Sequence, residues 1–315
     1  MIQFLQRQWF LVLLGLALAI GFGWSEQLAD VATRAPRSWI VAAVLFVMAL
    51  PLELSSLLRT LTRPVPALLA CGVNVVIVPL LGYSGAFLLP ADLGAGLIIM
   101  AAIPCTLASA AVWTRRAGGN DSLAILVTVV TNLACFLVIP FWLQTLLGAS
   151  AEIPFRGVVL RLLLLVVVPI SLAQIFRLHR PLAHWATRNK PRLGVVAQMG
   201  ILSMVAIGSV KAGNRLVAAE NELALSILDW GGMLAVVVAV HLAALGLGHL
   251  LALLARTDRA DRIAIGFAGS QKTLMVGLDL GLQYFGGLTI LPMVAYHVCQ
   301  LLADTLIADR LRKQK

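Results

Sequence analysis

Ala268-Gly269-Ser270-Gln271-Lys272-Thr273 interrupts an apolar run that extends from 260 to 282. A second interruption, Ile103-Pro104-Cys105-Thr106-Leu107-Ala108-Ser109, sits inside the run 93–114. A lysine and a glutamine at the centre of a membrane span are costly and mark function. Paired breaks at corresponding places in two halves of an apolar chain point to a transporter's binding site.

The rest of the chain supplies the setting. It has 315 residues, is 60% hydrophobic and 12% charged, and has a mean hydropathy of +0.95. Runs of about 20 apolar residues recur, each long enough to cross the hydrocarbon core. They are continuous rather than alternating, which excludes a membrane β-barrel and leaves an all-α polytopic membrane protein. No stretch reads as a soluble domain or an isolating linker, so 1–315 is expected to form a single membrane domain. The net charge of +10 comes mainly from short loops. It reads as a topology signal, not as a nucleic-acid surface. Cys71, Cys105, Cys135 and Cys299 lie in separate apolar spans without metal spacing and read as small core residues. The first apolar stretch lacks a small-residue cleavage site before Trp24 and reads as a membrane helix.

Ten spans are predicted: 8–24, 38–57, 64–84, 93–114, 121–148, 157–176, 193–210, 231–255, 260–282 and 286–308. With the N-terminus inside, the inner segments hold 17 of the 24 Lys and Arg residues and the outer segments 6, with Lys272 left over. That imbalance predicts both termini in the cytoplasm and a place in the cytoplasmic membrane. Five spans per half is an odd number, so a second half (151–315) that repeats the first (1–150) must enter the membrane upside down. This is the inverted-repeat plan. The longest basic loop, 177–192, divides the halves.

Pro104 removes a helical hydrogen bond and clashes one turn back. The carbonyls it frees, with the hydroxyls of Thr106 and Ser109, are oxygen ligands that suit a hard cation. A simple packed kink is the alternative. Gly266, Gly269 and Gly277 let the backbone around Ser270-Gln271-Lys272-Thr273 unwind or pack closely. Lys272 is too deep to snorkel. Its ammonium pairs with an anionic substrate, stands where a sodium ion would sit, or is a structural cation on backbone carbonyls. Asn74 in the third span either binds a ligand or ties two helices together. Thr128 and Asn132 are four apart and share a helix face with Thr131 nearby. His297 and Gln300 share a face of the last span. His241 and His249 read as core residues. Glu53, Asp279, Asp304 and Asp309 fall toward span ends and are expected to be solvated there. No Walker loop, nucleophile elbow, zinc-protease helix or paired-cysteine motif is present. Neither an enzyme nor a cofactor is therefore expected.

These residues resemble the bile acid:sodium symporter family, more closely its divergent symporter-like branch. The carrying segments are Pro104-Cys-Thr-Leu-Ala-Ser109, then Arg115-Arg-Ala-Gly-Gly-Asn120 leading into Leu126-Val-Thr128-Val-Val-Thr-Asn132, and Gly269-Ser-Gln-Lys-Thr-Leu274. Arg63-Pro64 followed by Asn74 also fits. The resemblance covers nearly the whole chain. It implies a core built from spans three to five and eight to ten (64–148 and 231–308), in which spans four and nine unwind and cross. It implies a flatter panel from spans one, two, six and seven (8–57 and 157–210), with substrate held between the two.

The resemblance places Asn74 where relatives have a sodium-binding glutamine, and Ser109, Thr128 and Gln271 at sodium-ligand positions. Sodium is thus the implied coupling ion. Three positions depart from the pattern: Phe267 replaces a glutamate, Lys272 an asparagine and Ala110 an asparagine. A lost carboxylate and a gained ammonium repel a nearby cation by several kcal/mol at ~4 Å and an effective dielectric of ~20. Lys272 is therefore expected to replace one cation, leaving transport linked to one sodium or to protons. The resulting expectation is a symporter of a small organic anion in the lipid bilayer. Its binding residues would be drawn from Asn74, Thr106, Ser109, Thr128, Asn132, Ser270, Gln271, Lys272, Thr273 and His297. Oligomeric state is left open. The eukaryotic members of the branch suggest a rival role in calcium homeostasis without organic-anion flux. Cys105 leaves a metalloid carrier as a third.

Overall fold

A computed structural model of the protein describes residues 9–53, 64–107, 109–148, 154–218 and 225–313. Arg7, Arg59, Arg63 and Lys315, used in the charge count, lie outside them. Among the described residues every regular element is a helix. In chain order these are α1 (Trp9–Gly23), α2 (Ser25–Arg34), α3 (Arg37–Ala49) and α4 (Pro64–Ala86). Next come α5 (Ala91–Ala102), α6 (Ala110–Arg116), α7 (Asp121–Leu147), α8 (Phe155–Phe176) and α9 (Arg180–Arg188). The chain ends with α10 (Lys190–Ala218), α11 (Ile227–Leu254), α12 (Arg259–Ser270), α13 (Leu274–Leu280) and α14 (Ile290–Lys313).

Six helical stretches, among them α4, α7, α8, α10 and α11, are long and apolar enough to cross a bilayer, and α1 with α2 makes a seventh if that bent pair is one span. The protein is a polytopic α-helical membrane protein. Several expected boundaries move. The first span turns by 107° after Gly23 into α2, an amphipathic helix that its apolar run did not announce. The second helix ends at Ala49, ahead of Pro51, and residues 54–57 of the expected span lie outside the described residues. The seventh runs from Lys190 to Ala218, longer at both ends than expected.

Both anticipated interruptions are real. Ile103, the residue before Pro104, is extended (φ −70°, ψ 159°), as the clash with the proline ring demands. Gln271 (φ −74°, ψ 141°) and Thr273 (φ −82°, ψ 127°) are extended as well, so the second break parts α12 from α13.

A third irregularity was not foreseen. Val73–Ile77 forms a π-turn inside α4, with the Val78 amide donating to Val73 O. Pro79 follows and has no N–H. The carbonyls of Asn74 and Val75 therefore both lose their ordinary partners. Trp142 Nε1 donates to Val75 O at 2.7 Å. The fate of Asn74 O belongs to the site.

The helices pack in two groups. α10 lies along α1, α2 and α3, and α3 also meets the second half of α8. α12 packs on α4, α6, α7 and α11, and α14 on α5 and α11. α13 touches both groups, through α3 and α10 on one side and α14 and α5 on the other.

Candidate functional site

The two breaks face each other. The Thr273 amide donates to Pro104 O at 2.9 Å, a single strand-like bridge between the extended segments. A helix leaves its last four carbonyls without intrahelical donors, so α12 must find partners for its C-terminal end. Asn74 Nδ2 is shared among Ala268 O (3.2 Å), Gly269 O (3.1 Å) and Gln271 O (3.0 Å). Tyr296 donates its hydroxyl to Ser270 O at 2.8 Å. On the other break, Asn132 Nδ2 donates to Cys105 O at 2.8 Å and Thr128 Oγ1 to Thr106 O at 3.2 Å. Thr128 and Asn132 thus face the same way, as their spacing of four implied. Thr131 joins them by accepting the Cys105 amide at 3.2 Å.

Lys272 is 2% exposed. Its Nζ donates to Asn74 O at 2.6 Å, to Ile103 O at 2.8 Å and to Asn74 Oδ1 at 3.3 Å. Three hydrogens meet three oxygens, which is the full capacity of an ammonium. The first of these is the carbonyl freed by the π-turn and Pro79. The second lies just past the C-terminal end of α5, and the end of α12 adjoins the lysine itself. Both helix ends carry partial negative charge, and this offsets the cost of a buried cation that hydrogen-bonds to carbonyl and amide oxygens and not to a carboxylate. Every proton of the ammonium is thus engaged by the protein's own oxygens. The backbone of Lys272 is clamped as well: its amide donates to Gln300 Oε1 and its carbonyl accepts from Gln300 Nε2, both at 3.0 Å.

Gln271 points to the opposite side of the break. Its Oε1 accepts from Ser109 Oγ at 2.8 Å, and its Nε2 donates to Asp304. Asp304 Oδ1 contacts His241 Nε2 at 2.9 Å. Asp304 and Asp279 are both buried, contrary to the expectation that they would be solvated at span ends. Asp279 instead takes a bidentate pair of bonds from Arg161 Nε and Nη2, each 2.6 Å. The interior of a packed bundle extends further along these helices than sequence position suggests, and each carboxylate is retained because a partner meets it. His241 is buried as expected, whereas His249 is exposed. Asp309 does stay near solvent, ion-paired to Arg116 at 2.7 Å.

A cavity of about 260 Å³ lies beside the first break. Thr106, Ser109 and His297 line it from one group of helices, with Phe10, Gln198 and Lys190 from the other. His297 Nδ1 also meets Gln300 Nε2 at 3.0 Å, so the cavity wall is joined to the Lys272 clamp. The expected site residues therefore divide. Asn74 and Lys272 form one cluster, Ser109 and Gln271 a second, and Thr128 and Asn132 a third on the carbonyls of 105–106. Thr106, Ser109 and His297 reach the cavity. Thr273 takes part through its backbone. Ser270 contributes its carbonyl, its own hydroxyl turning back to Phe267 O at 3.4 Å.

Tyr296, Asp304, His241 and Pro79 were not singled out for the site from sequence. A signal existed for two of them: Tyr296, Gln300 and Asp304 recur at intervals of four and so share one face of α14. Gly269 illustrates how tight the junction is. A Cβ there would lie 2.8 Å from Val73 Cγ1 and 2.9 Å from Val73 Cβ. Gly269→Ala is expected to cost about 1–3 kcal/mol by overpacking, measured as a lower melting temperature of the purified protein. An unchanged melting temperature would mean that α4 and α12 separate freely.

The model of the SBF-like CPA transporter family matches residues 8–313. The chain is 26% identical over 224 residues to sodium/bile acid cotransporter 7 of Rattus norvegicus, covering 69% of this chain and 64% of that protein. It is 29% identical over 253 residues to the probable sodium/metabolite cotransporter BASS4, chloroplastic, of Arabidopsis thaliana, covering 70% and 52%. It is 30% identical over 263 residues to an uncharacterized protein of Pseudomonas aeruginosa, covering 79% and 75%. The chain thus spans just under two thirds of the length of the rat relative. With both breaks and their polar junction inside the matched region, the chain belongs to the SBF-like CPA transporter family.

Proposed function

We propose that the protein is a secondary active transporter of a small organic anion, coupled to sodium or to protons and working by alternating access. One observation carries this reading. Two helices unwind toward each other deep in the bundle beside a cavity, and a fully engaged ammonium at the end of α12 ties the end of α5 to the π-turn of α4. Broken helices that meet near the middle of a membrane bundle are where transporters place substrate and coupling ion. The rat and Arabidopsis relatives, named as a sodium/bile acid and a probable sodium/metabolite cotransporter, support the same class.

In this reading α5–α6 and α12–α13 are the fourth and ninth of ten spans arranged as two inverted repeats. The core comprises α4–α7 with α11–α14, and the panel α1–α3 with α8–α10. The cavity lies between them and takes the substrate. Its apolar walls suit an organic body, and the Lys190 ammonium among its lining residues suits an anionic group. Lys272 stands in the place of one coupling cation, because its ammonium occupies the oxygens that such an ion would use, Asn74 Oδ1 among them.

The test is thermal stabilisation of the purified protein across a panel of organic anions, each in sodium and in choline salts and at two pH values. A ligand at a hundred times its Kd raises stability by about 2.7 kcal/mol. At least one anion is expected to stabilise the protein, with the shift enlarged by sodium or by acid. A panel that stabilises in no medium, together with proteoliposomes that accumulate none of its members, would overturn the reading.

A further inference from the structure

Two ion pairs close the end of the molecule opposite the cavity. The cavity is lined by Phe10, Leu52 and Lys190, at the start of α1, just past the end of α3 and at the start of α10. Arg215 stands 25 residues beyond Lys190 on α10, about 37 Å along the helix. It pairs with Asp92 of α5 at 3.0 Å, and its Nη1 donates to Phe285 O at 3.2 Å. One turn back from Arg215, the chain after α13 presses on α10: a Cβ on Gly287 would lie 2.4 Å from the Ala212 amide nitrogen. At the same end Arg161, near the start of α8, holds Asp279 of α13 by two bonds of 2.6 Å and reaches Ser38 at the start of α3.

The charges at this end are sorted between the two groups of helices. Every described lysine or arginine there, namely Arg34, Arg37, Arg156, Arg161, Lys211 and Arg215, belongs to α2, α3, α8 or α10, which form part of the panel. Asp92 and Asp279 belong to the core, which has no lysine or arginine at this end among the described residues. Of the remaining acids, Asp30 is paired with Arg34, Glu26 is exposed on α2, and Asp229 is taken up in the cap of α11. Arg37 and Lys211 are left over. Arg37 Nη1 is buried without a hydrogen-bond partner, and Lys211 lies near enough to feel its charge. Among the described residues neither makes an ion pair.

We infer that the panel cations Arg37, Arg161 and Lys211 form an entry site for a carboxylate-bearing anion, in which Asp279 is a tethered occupant while this end is closed, Asp92 doing the same at Arg215. The inference rests on the transporter reading, in which the core rocks against the panel. When the core swings away it takes both carboxylates with it, and Arg161 and Arg215 become as unpaired as Arg37 and Lys211. A surface with cations in excess attracts an anion. The forked geometry that Asp279 takes on Arg161 is the one an incoming carboxylate would take, and chloride cannot match it. An anion bound there favours the open state over the closed one, and opening favours the anion by the same factor. Without an anion the core carboxylates return and the end closes.

The experiment reads opening at Leu288, which is 1% exposed in the short turn Gly287–Thr289 that packs on α10. Leu288→Cys, in a full-length chain whose four cysteines are replaced by alanine, is labelled with a polar maleimide in lipid nanodiscs. The rate is compared in tetramethylammonium acetate and chloride at equal ionic strength. Acetate is expected to speed labelling by roughly fivefold or more. Arg37→Gln/Lys211→Gln, which breaks no ion pair, should abolish that difference. Asp92→Asn/Asp279→Asn should label faster than the parent reporter in either salt; if that variant does not fold, the acetate effect and its loss in Arg37→Gln/Lys211→Gln decide. Equal rates in the two salts would overturn the inference. So would an acetate effect that survives in Arg37→Gln/Lys211→Gln, or a folded Asp92→Asn/Asp279→Asn variant that labels no faster than the parent reporter. Uptake assays separate the two conclusions. An acetate effect in a protein that accumulates no member of the organic-anion panel would remove the transporter reading and leave the anion site standing. Uptake with labelling indifferent to acetate would do the reverse.

Discussion

Lys272→Ala is expected to melt several degrees below the parent in sodium-free buffer and to recover part of the loss when sodium is added. Removing the ammonium leaves Asn74 O, Asn74 Oδ1 and Ile103 O without their donor inside the bundle. Each buried acceptor left unpaired costs about 1–3 kcal/mol, and 1 kcal/mol corresponds to roughly 2–4 °C in a protein of this order of size. The same three oxygens form a cage for a small hard cation. If Lys272 occupies a cation's place, sodium will enter the variant and stabilise it by mass action, about 2.7 kcal/mol at a hundred times its Kd. The measurement is a melting curve of Lys272→Ala in sodium against choline chloride at equal ionic strength. Lys272→Met, which keeps most of the stem volume, separates lost packing from lost charge. Equal melting temperatures in the two salts would make Lys272 a structural lysine and end the surrogate-cation reading.

The second large effect lies at the contact between α8 and α13. Arg161 and Asp279 form a bidentate pair whose side chains are 19% and 4% exposed. Arg161 Nη2 also reaches Ser38 Oγ on α3 at 3.2 Å. Removing one member strands the other, a loss of about 3–5 kcal/mol for a buried pair, whereas replacing both by apolar residues of similar volume is often near neutral. Arg161→Met and Asp279→Leu singly should therefore each melt well below the parent, and the double variant should melt above either single one. Thermal unfolding of the four proteins in detergent settles the order. Two single variants that melt like the parent would show that solvent reaches the pair and that it contributes little to holding α13 against α8.

How much of this was legible beforehand depended on sequence distance. Both breaks could be placed to within a few residues, since proline, glycine and mid-span polarity act on the backbone where they stand. The burial of Lys272 followed from its depth, and the common facing of Thr128 and Asn132 followed from their spacing of four. The misreadings share one cause. Asp279 and Asp304 were assigned to solvent because position along a helix says nothing of what lies across from it. Their partners, Arg161 and His241, stand 118 and 63 residues away. The π-turn at Val73–Ile77 escaped notice although Pro79 was in plain view, since proline alone does not reveal that Lys272, 198 residues beyond Asn74, will use the Asn74 carbonyl freed there.

Hydropathy and backbone chemistry, which are local, therefore determined from sequence alone that this is a polytopic helical membrane protein with two interrupted spans and a lysine at one of them. Which oxygens receive that lysine, which histidine faces which carboxylate, and which hydroxyls reach the cavity were decided only when the helices packed. Charge and hydrogen-bond satisfaction in a low-dielectric interior belong to pairs of groups, and the chain brings those pairs together from opposite ends of its length.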